Sequence, residues 1–226
     1  MLKAQNKCRR PPAAIRHLRR AGLRGCSELS LGRMLLLMQR ESSRRGAPVL
    51  SVESAIGRGS FAILIFTALS ARTRDETTIM AGKKLLSRAP TPQKLSHLSI
   101  SQIQKLIYPV GFYKTKARHL HALAHNLLYD FGGKVPSTFD ALTSLPGVGR
   151  KTANIVLASA FGKHTIGVDT HVHRISNRLE LVKAKSPEKT NDALDRIIPN
   201  RYKKKFNMSM VAFGQTVCTP LRPRRP

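Results

Sequence analysis

The chain has 226 residues, of which 41% are hydrophobic, and this length and apolar content exclude a disordered chain and allow a buried core. Forty lysines and arginines against twelve acids give a formal charge of 40 − 12 = +28, so nucleic acid is the expected partner. The charge by itself is equally consistent with an enzyme that acts on nucleic acid and with a non-catalytic ribosomal or chromatin protein.

The first thirty residues are predicted to form a basic, disordered arm. The first fifty residues contain only two acids, Glu28 and Glu41, and the arm carries two adjacent prolines, Pro11 and Pro12. An organellar transit peptide is the alternative, because such segments are rich in arginine and serine and poor in acids. A short amphipathic helix is predicted over residues 31–40.

From Val52 onward the apolar residues recur at helical spacing. The longest apolar run, residues 61–66, is extended by Thr67-Ala68-Leu69. It predicts a buried helix and no membrane anchor, because a bilayer span needs roughly 20 apolar residues. No strand-like alternation is sustained, so the sequence predicts an all-α fold. The helices are expected at about 61–69, 76–87, 100–107, 114–129, 138–142, 150–160, after Thr170, 187–198 and 202–213.

A glycine-rich turn, Leu145-Pro-Gly-Val-Gly149, separates two of these helices. Glycine permits positive φ and lets the backbone approach another molecule closely. We expect the N–H groups of Gly147, Val148 and Gly149 to point outward at the start of the next helix, where the helix dipole is positive. The turn is therefore a candidate site for a DNA phosphate, and an ordinary turn between two helices is the alternative.

Lys151 falls in the first turn of the helix that follows this hairpin. A free lysine has a pKa of about 10.4, and a helix N-terminus, the neighbouring Arg150 and desolvation all disfavour its charged form. A neutral amine can attack an electrophilic carbon and form a Schiff base. A lysine that only contacts phosphate is the alternative.

Asp169 precedes the helix that begins near Thr170, and it can cap that helix. An acid beside a phosphate-binding surface repels the ligand, so its position also indicates a catalytic role. A carboxylate can stabilise an oxocarbenium-like sugar and help to deprotonate an attacking amine. His171 and His173 have no third ligand at a recognisable metal spacing, so they are expected to be structural or to contact DNA.

At these positions the sequence resembles the endonuclease III family of bifunctional base-excision glycosylases. The likeness rests on Leu145-Pro-Gly-Val-Gly-Arg-Lys-Thr-Ala-Asn154 and Val168-Asp-Thr-His-Val-His-Arg174, and it extends from about residue 52 to 218. It implies two helical subdomains with a helix-hairpin-helix motif and the DNA cleft between them. One would comprise residues 53–163, a helical barrel with the hairpin at 145–149, and the other residues 31–52 with 164–226, beside the arm 1–30.

The resemblance also implies a reaction. Lys151 would attack C1′ of a damaged, oxidised pyrimidine nucleotide, Asp169 would assist, and β-elimination would cut the strand 3′ of the lesion. Two loops would fill the gap that the flipped base leaves. Residues 70–75 carry Arg72 where the family has glutamine, and residues 111–116 carry Phe112 where leucine is common. The residues expected to bind DNA are Leu145, Gly147, Val148, Gly149, Arg150, Arg72, Phe112 and Lys116.

The cysteines depart from the family pattern. Cys218 matches the first of four cysteines that commonly hold a [4Fe–4S] cluster in this family, but the second position is Arg225, and one thiolate cannot hold such a cluster. We therefore expect no cofactor, through loss of the cluster or through a truncated or frameshifted C-terminus, and Cys218 as a buried thiol. With Cys8 and Cys26 it forms no disulfide framework, which fits a reducing compartment.

Three functions remain open at this point. The first is a glycosylase and abasic-site lyase for oxidised pyrimidines, the second a glycosylase for another lesion such as oxidised guanine or a mismatched base. The third is a non-catalytic helix-hairpin-helix DNA-binding protein. In each case the partner is double-stranded DNA, with a damaged base or an abasic site for the enzymes, and the protein is expected to be a monomer. The expected compartment is the cytoplasm (nucleoid) of a prokaryote, or the nucleus or mitochondrion of a eukaryote.

Overall fold

A computed structural model describes residues 28–57 and 59–221. For residues 28–30 and 53 it describes the backbone alone. Within this part the chain forms helices and no strand, which confirms the predicted all-α fold. The helices are α1 (Glu28–Arg44), α2 (Pro48–Ile56), α3 (Ser60–Ser70), α4 (Asp75–Arg88), α5 (Pro92–Ser96), α6 (Ile100–Ile107), α7 (Tyr113–Phe131), α8 (Phe139–Thr143), α9 (Arg150–Phe161), α10 (Thr170–Arg178), α11 (Pro187–Ile197) and α12 (Asn200–Thr216).

The N-terminal helix is longer than its sequence pattern indicates. Helix α1 contains the predicted helix 31–40 but already begins at Glu28, so the last three residues of the expected arm belong to its first turn. The rest of the arm, residues 1–27, lies outside the described residues. Helix α5 has no apolar repeat that would predict it. It is a single turn that Pro92 opens and the Thr91 side chain caps, by accepting from the N–H of Lys94.

The chain divides into two compact units. The hairpin unit comprises residues 47–167, and the terminal unit combines residues up to Gly46 with those from Val168 onward. The expected boundaries at 53 and 163 fall inside the hairpin unit. The hairpin unit extends beyond the expected residues 53–163 because local contacts hold additional residues at both of its ends. Helix α2 packs on α4, and beyond α9 the hydroxyl of Thr165 donates to the Asn154 carbonyl at 2.7 Å.

Helix α3 takes part in both apolar clusters of the hairpin unit. Its residues Ile65 and Leu69 pack with α4, α6 and the first half of α7, whereas Ile63 and Leu64 pack with the second half of α7, α8 and α9. A helix that is apolar on all sides is buried on all sides, and each fully buried leucine or isoleucine contributes roughly 1.5–3 kcal/mol. The 61–69 run is therefore the shared core of this unit.

The terminal unit consists of α1, α10, α11 and α12. Helix α1 packs along α12, and α10 packs against both α11 and α12. Lys203 of α12 is buried, and its Nζ lies 2.6 Å from Asp195 Oδ1 of α11, so an ion pair links these helices. None of the described helices is long and apolar enough to cross a membrane. The largest buried apolar side chains of the unit include Met34, Leu35 and Met38 of α1 and Phe206, Met210 and Phe213 of α12.

Candidate active site and nucleic-acid interface

The glycine-rich turn lies between α8 and α9, as the sequence predicts. Leu145 and Val148 are buried, with 2% and 5% of their surface exposed, in the cluster that also contains Leu142 of α8 and Ala153 of α9. Their side chains anchor the turn to the core, so only their backbone can reach DNA. Arg150 is exposed, and its guanidinium carbon lies 6.0 Å from the centre of the Phe139 ring.

The backbone of the turn distinguishes its two glycines. Gly147 has a φ of +78°, and a Cβ at this position would lie 2.9 Å from the His119 side chain. Gly149 has an ordinary φ of −89°, and a Cβ there would meet nothing within 4 Å. The prediction that all three N–H groups point outward is wrong for one of them, because Val148 donates to the Leu145 carbonyl at 3.1 Å. This bond closes the turn that the positive φ of Gly147 requires.

Lys151 lies in the first turn of α9, immediately after the hairpin, and is partly exposed. The chain returns to this turn after α9. Asn154 donates from its side chain to the Ile166 carbonyl at 3.2 Å. Gly167 lies so close to Ile155 and the Lys151 carbonyl that a Cβ at position 167 would overlap Ile155. The hairpin unit thus ends at Gly167, beside the backbone of Lys151.

Asp169 caps α10, which confirms the structural role predicted for it. Its Oδ1 accepts from the N–H of Val172 at 2.8 Å, and the residue is partly exposed. The two histidines that follow take part in hydrogen bonds of the terminal unit. His173 Nδ1 lies 2.7 Å from Thr190 Oγ1, and His171 Nδ1 lies 3.1 Å from Arg174 Nη2. Across the described residues no three His, Cys, Asp or Glu side chains form a metal-ligand group.

The two loops expected to enter DNA meet in the hairpin unit. Arg72 and Phe112 are exposed, Phe112 by 62%, and the Arg72 guanidinium carbon lies 5.5 Å from the centre of the Phe112 ring. Both have left-handed backbones, with φ of 53° and 57°. Such a conformation costs about 1–3 kcal/mol for each non-glycine residue, whereas an exposed cation–π contact contributes about 0.5–1 kcal/mol. Other contacts must therefore hold the pair.

Lys116 supplies such contacts. Its Nζ donates to the carbonyls of Leu69 at 2.7 Å and Ala71 at 2.6 Å and to Thr73 Oγ1 at 3.1 Å. Burial lowers the pKa of Lys116 from its usual value to about 8. The sequence predicts a DNA contact for this residue, but the structure places its ammonium against oxygens of the first loop.

Helix α7 connects these loops with the hairpin. Lys116 contacts the first loop, and His119, one turn later on the same face, lies against Gly147 of the hairpin turn. Sequence reasoning did not assign a role to His119, because a lone histidine on an amphipathic helix carries no motif. The structure thereby groups all the residues predicted to bind DNA in the hairpin unit.

Arg174 of α10 anchors the segment that contains Cys218. Its Nη2 donates to the Gly214 carbonyl at 3.2 Å and to the Cys218 carbonyl at 2.7 Å. Burial lowers the pKa of the Arg174 guanidinium. The sequence did not predict this role, because an arginine that binds backbone carbonyls belongs to no recognisable motif.

Arg178, one turn later, anchors the residues that follow. It donates to the carbonyls of Thr219 at 2.8 Å and Pro220 at 2.7 Å, and its Nη1 lies 3.3 Å from Cys218 Sγ. Among the described residues the sulfur of Cys218 thus contacts a guanidinium, and no further cysteine lies beside it. Arg225, at the expected second ligand position, lies outside the described residues.

Comparison with known proteins agrees with this geometry. Residues 65–200 match the family model for HhH-GPD superfamily base excision DNA repair proteins. Endonuclease III of Thermotoga maritima is 47% identical over 163 residues, which cover 72% of this chain and 76% of that protein. The chloroplastic endonuclease III homolog 2 of Arabidopsis thaliana is 43% identical over 172 residues, but this chain spans only 45% of its length.

Among solved structures, this chain matches an endonuclease III trapped as a covalent intermediate with DNA, in an estranged-adenine complex. The TM-score is 0.77 at 31% identity, and the match covers 88% of this chain and 91% of that one. A non-covalent endonuclease III–DNA complex matches with a TM-score of 0.76 at the same identity.

Proposed function

Because the chain belongs to the endonuclease III family of HhH-GPD base excision DNA repair proteins, we propose that it removes a damaged base through Lys151 and Asp169. It is a DNA glycosylase with abasic-site lyase activity, and its substrate is damaged duplex DNA. The observation that supports the assignment of the nucleophile is the place of Lys151, in the first turn of α9 directly behind the hairpin turn.

The chemistry assigned to Lys151 begins with attack of its neutral amine on C1′ of the damaged nucleotide. The bond between C1′ and the base breaks, and the base leaves with the electron pair and gains a proton. Opening of the sugar yields a Schiff base between Nζ and C1′. Loss of a proton from C2′ then expels the 3′ phosphate, so the strand is cut by β-elimination.

Asp169 assists in two ways in this proposal. Its carboxylate stabilises positive charge that develops on the sugar, and it accepts a proton from the attacking amine. Asp169 also caps α10, and the bond that its Oδ1 accepts from the Val172 N–H at 2.8 Å restrains the side chain. A fixed carboxylate needs little reorganisation when charge develops.

The surface assigned to DNA comprises the hairpin turn and the Arg72–Phe112 pair. At Gly149 the backbone is open to close approach, since a Cβ would meet nothing within 4 Å, and the positive end of α9 lies next to it. Planar side chains such as those of Arg72 and Phe112 can stack on bases exposed by flipping. Because the chain carries a formal charge of +28, its affinity for DNA should fall steeply as the salt concentration rises.

The preferred substrate in this proposal is an oxidised pyrimidine, no iron–sulfur cofactor is used, and the protein acts as a monomer. The chain has three cysteines, whereas a [4Fe–4S] cluster takes four thiolates, and the Cys218 sulfur lies against Arg178. The curated relatives are bacterial, chloroplastic and animal proteins. The enzyme should act where the DNA is: the nucleoid of a prokaryote, or the nucleus or mitochondrion of a eukaryote.

Borohydride trapping tests the nucleophile. The protein is incubated with a duplex that carries one abasic site, and borohydride reduces any Schiff base to a stable protein–DNA adduct. The wild type should form the adduct and Lys151→Ala should not, although both bind the duplex. A wild type that binds this duplex without forming an adduct refutes the enzymatic proposal and leaves a DNA-binding protein. Duplexes with thymine glycol, oxidised guanine or uracil then identify the lesion class.

A further inference from the structure

We propose that Lys116 is a positioning residue, which ties the segment after α3 to the loop before α7 and so holds Arg72 and Phe112 as one stacked pair. The tie is a property of the hairpin unit alone. Its consequence for catalysis rests on the proposed function, because it assumes that the pair meets DNA.

The ammonium of Lys116 is fully used within the chain. Lysine has three donors and no acceptor, and three oxygens lie within 3.1 Å of Nζ: the carbonyls of Leu69 and Ala71 and the hydroxyl of Thr73. The two carbonyls belong to the C-terminal end of α3, where helix carbonyls lack intrahelical partners and the dipole is negative. A cation at this point both satisfies them and fixes the course of the chain beyond α3.

Thr73 extends the tie to the second loop. Its hydroxyl oxygen accepts from Lys116 and also from the N–H of Gly111 at 3.2 Å. Gly111 lies directly against the backbone carbonyl of Arg72, and any Cβ at position 111 would overlap that oxygen. The backbones of the two loops therefore touch, with one lysine and one threonine bridging them.

The Arg72–Phe112 pair depends on this support. Both residues are held in left-handed conformations, and the contact between guanidinium and ring is weaker than the cost of two such conformations. Both side chains of the pair are exposed, whereas Lys116 of α7 is half-buried and contacts the first loop. A role for Lys116 as a direct phosphate ligand would require its ammonium to leave three oxygens at once.

Hydrogen–deuterium exchange of the free protein tests the tie without DNA. Lys116→Met keeps the apolar stem and removes the donors. Lys114→Met is the matched control, because it removes the same charge from an exposed side chain on the same turn of α7. Amides of residues 70–75 and 108–113 should exchange about ten times faster in Lys116→Met than in Lys114→Met, with unchanged circular dichroism. Equal exchange in the two variants overturns the proposal.

Single-turnover trapping on the abasic duplex tests the consequence for catalysis. At saturating protein, Lys116→Met should form the adduct about ten times more slowly than Lys114→Met, with equal affinity of both for undamaged duplex. When Phe112→Ala is already present, Lys116→Met should slow adduct formation by less than about twofold, because Lys116 acts only by holding the Arg72–Phe112 pair. An undiminished effect in that background overturns the positioning role. If the wild type forms no adduct, the proposed function fails, and the exchange experiment alone decides the tie.

Discussion

Alanine substitutions at the two glycines of the hairpin turn should separate stability from DNA binding: Gly147→Ala should lose stability, and Gly149→Ala should lose DNA affinity. Gly147 has a φ of +78°, and a new Cβ would lie 2.9 Å from His119. The left-handed conformation alone costs alanine about 1–2 kcal/mol, and the displacement of His119 adds to this. At Gly149 the φ is −89° and the space is open. There a gain of about 0.4–1 kcal/mol from the stiffer unfolded chain roughly offsets the poorer N-cap.

Urea denaturation followed by circular dichroism measures the first effect, since the chain has no tryptophan. Fluorescence anisotropy with a labelled abasic duplex measures the second. Gly149→Ala should unfold like the wild type but bind DNA about tenfold more weakly, because a methyl group separates the backbone from the phosphate. Gly147→Ala should be destabilised, and His119→Ala should relieve only the part of that loss that comes from the ring, because the Cβ of residue 119, which alanine keeps, also lies 2.9 Å from the new Cβ. Undiminished DNA binding by Gly149→Ala would refute the close approach, and a fully stable Gly147→Ala would refute the strain argument.

Three further predictions concern Asp169, the ion pair of Asp195 with Lys203, and His121. Asp169→Asn keeps an N-cap but loses the carboxylate, so adduct formation should fall about 100-fold or more with little change in stability. Asp169→Ala should in addition lower the free energy of unfolding by about 1 kcal/mol, because the cap is lost. Equal adduct formation by the wild type and Asp169→Asn would contradict the catalytic role of the carboxylate. Asp195→Ala leaves the buried Lys203 ammonium unpaired and should destabilise the fold more than Lys203→Met, which removes the charge itself; chemical denaturation compares the two. Desolvation, with a smaller effect of His125, lowers the pKa of His121 in the folded protein. As the pH falls, the unfolded chain therefore takes up a proton at this histidine before the folded protein does, and stability should fall below about pH 6.5. His121→Asn should flatten that fall, and an unchanged pH profile would contradict it.

Features set by local sequence could be predicted for this protein. The apolar spacing predicted most of the helices, although not α2 and α5. The run at 61–69 predicted a buried helix, and the position of Asp169 predicted the cap. The support of the loops could not be predicted in this way. Lys116 contacts Leu69 across 47 residues of sequence. Nothing in the identities of Arg72 and Phe112 indicates positive φ, because that conformation is imposed by the tertiary contacts around them and not by their own preferences.

The C-terminal segment shows why a missing motif does not predict missing structure. Cys218 alone predicts no cluster that would anchor residues 214–220. In the structure, two guanidiniums one helical turn apart on α10 bind this segment, Arg174 through the carbonyls of residues 214 and 218 and Arg178 through those of 219 and 220. Arginine has five donors in a fixed planar arrangement, so two such side chains can hold several carbonyls of a turn. Because backbone carbonyls are present at every residue, this mode of anchoring leaves no mark in the sequence of the segment that is held.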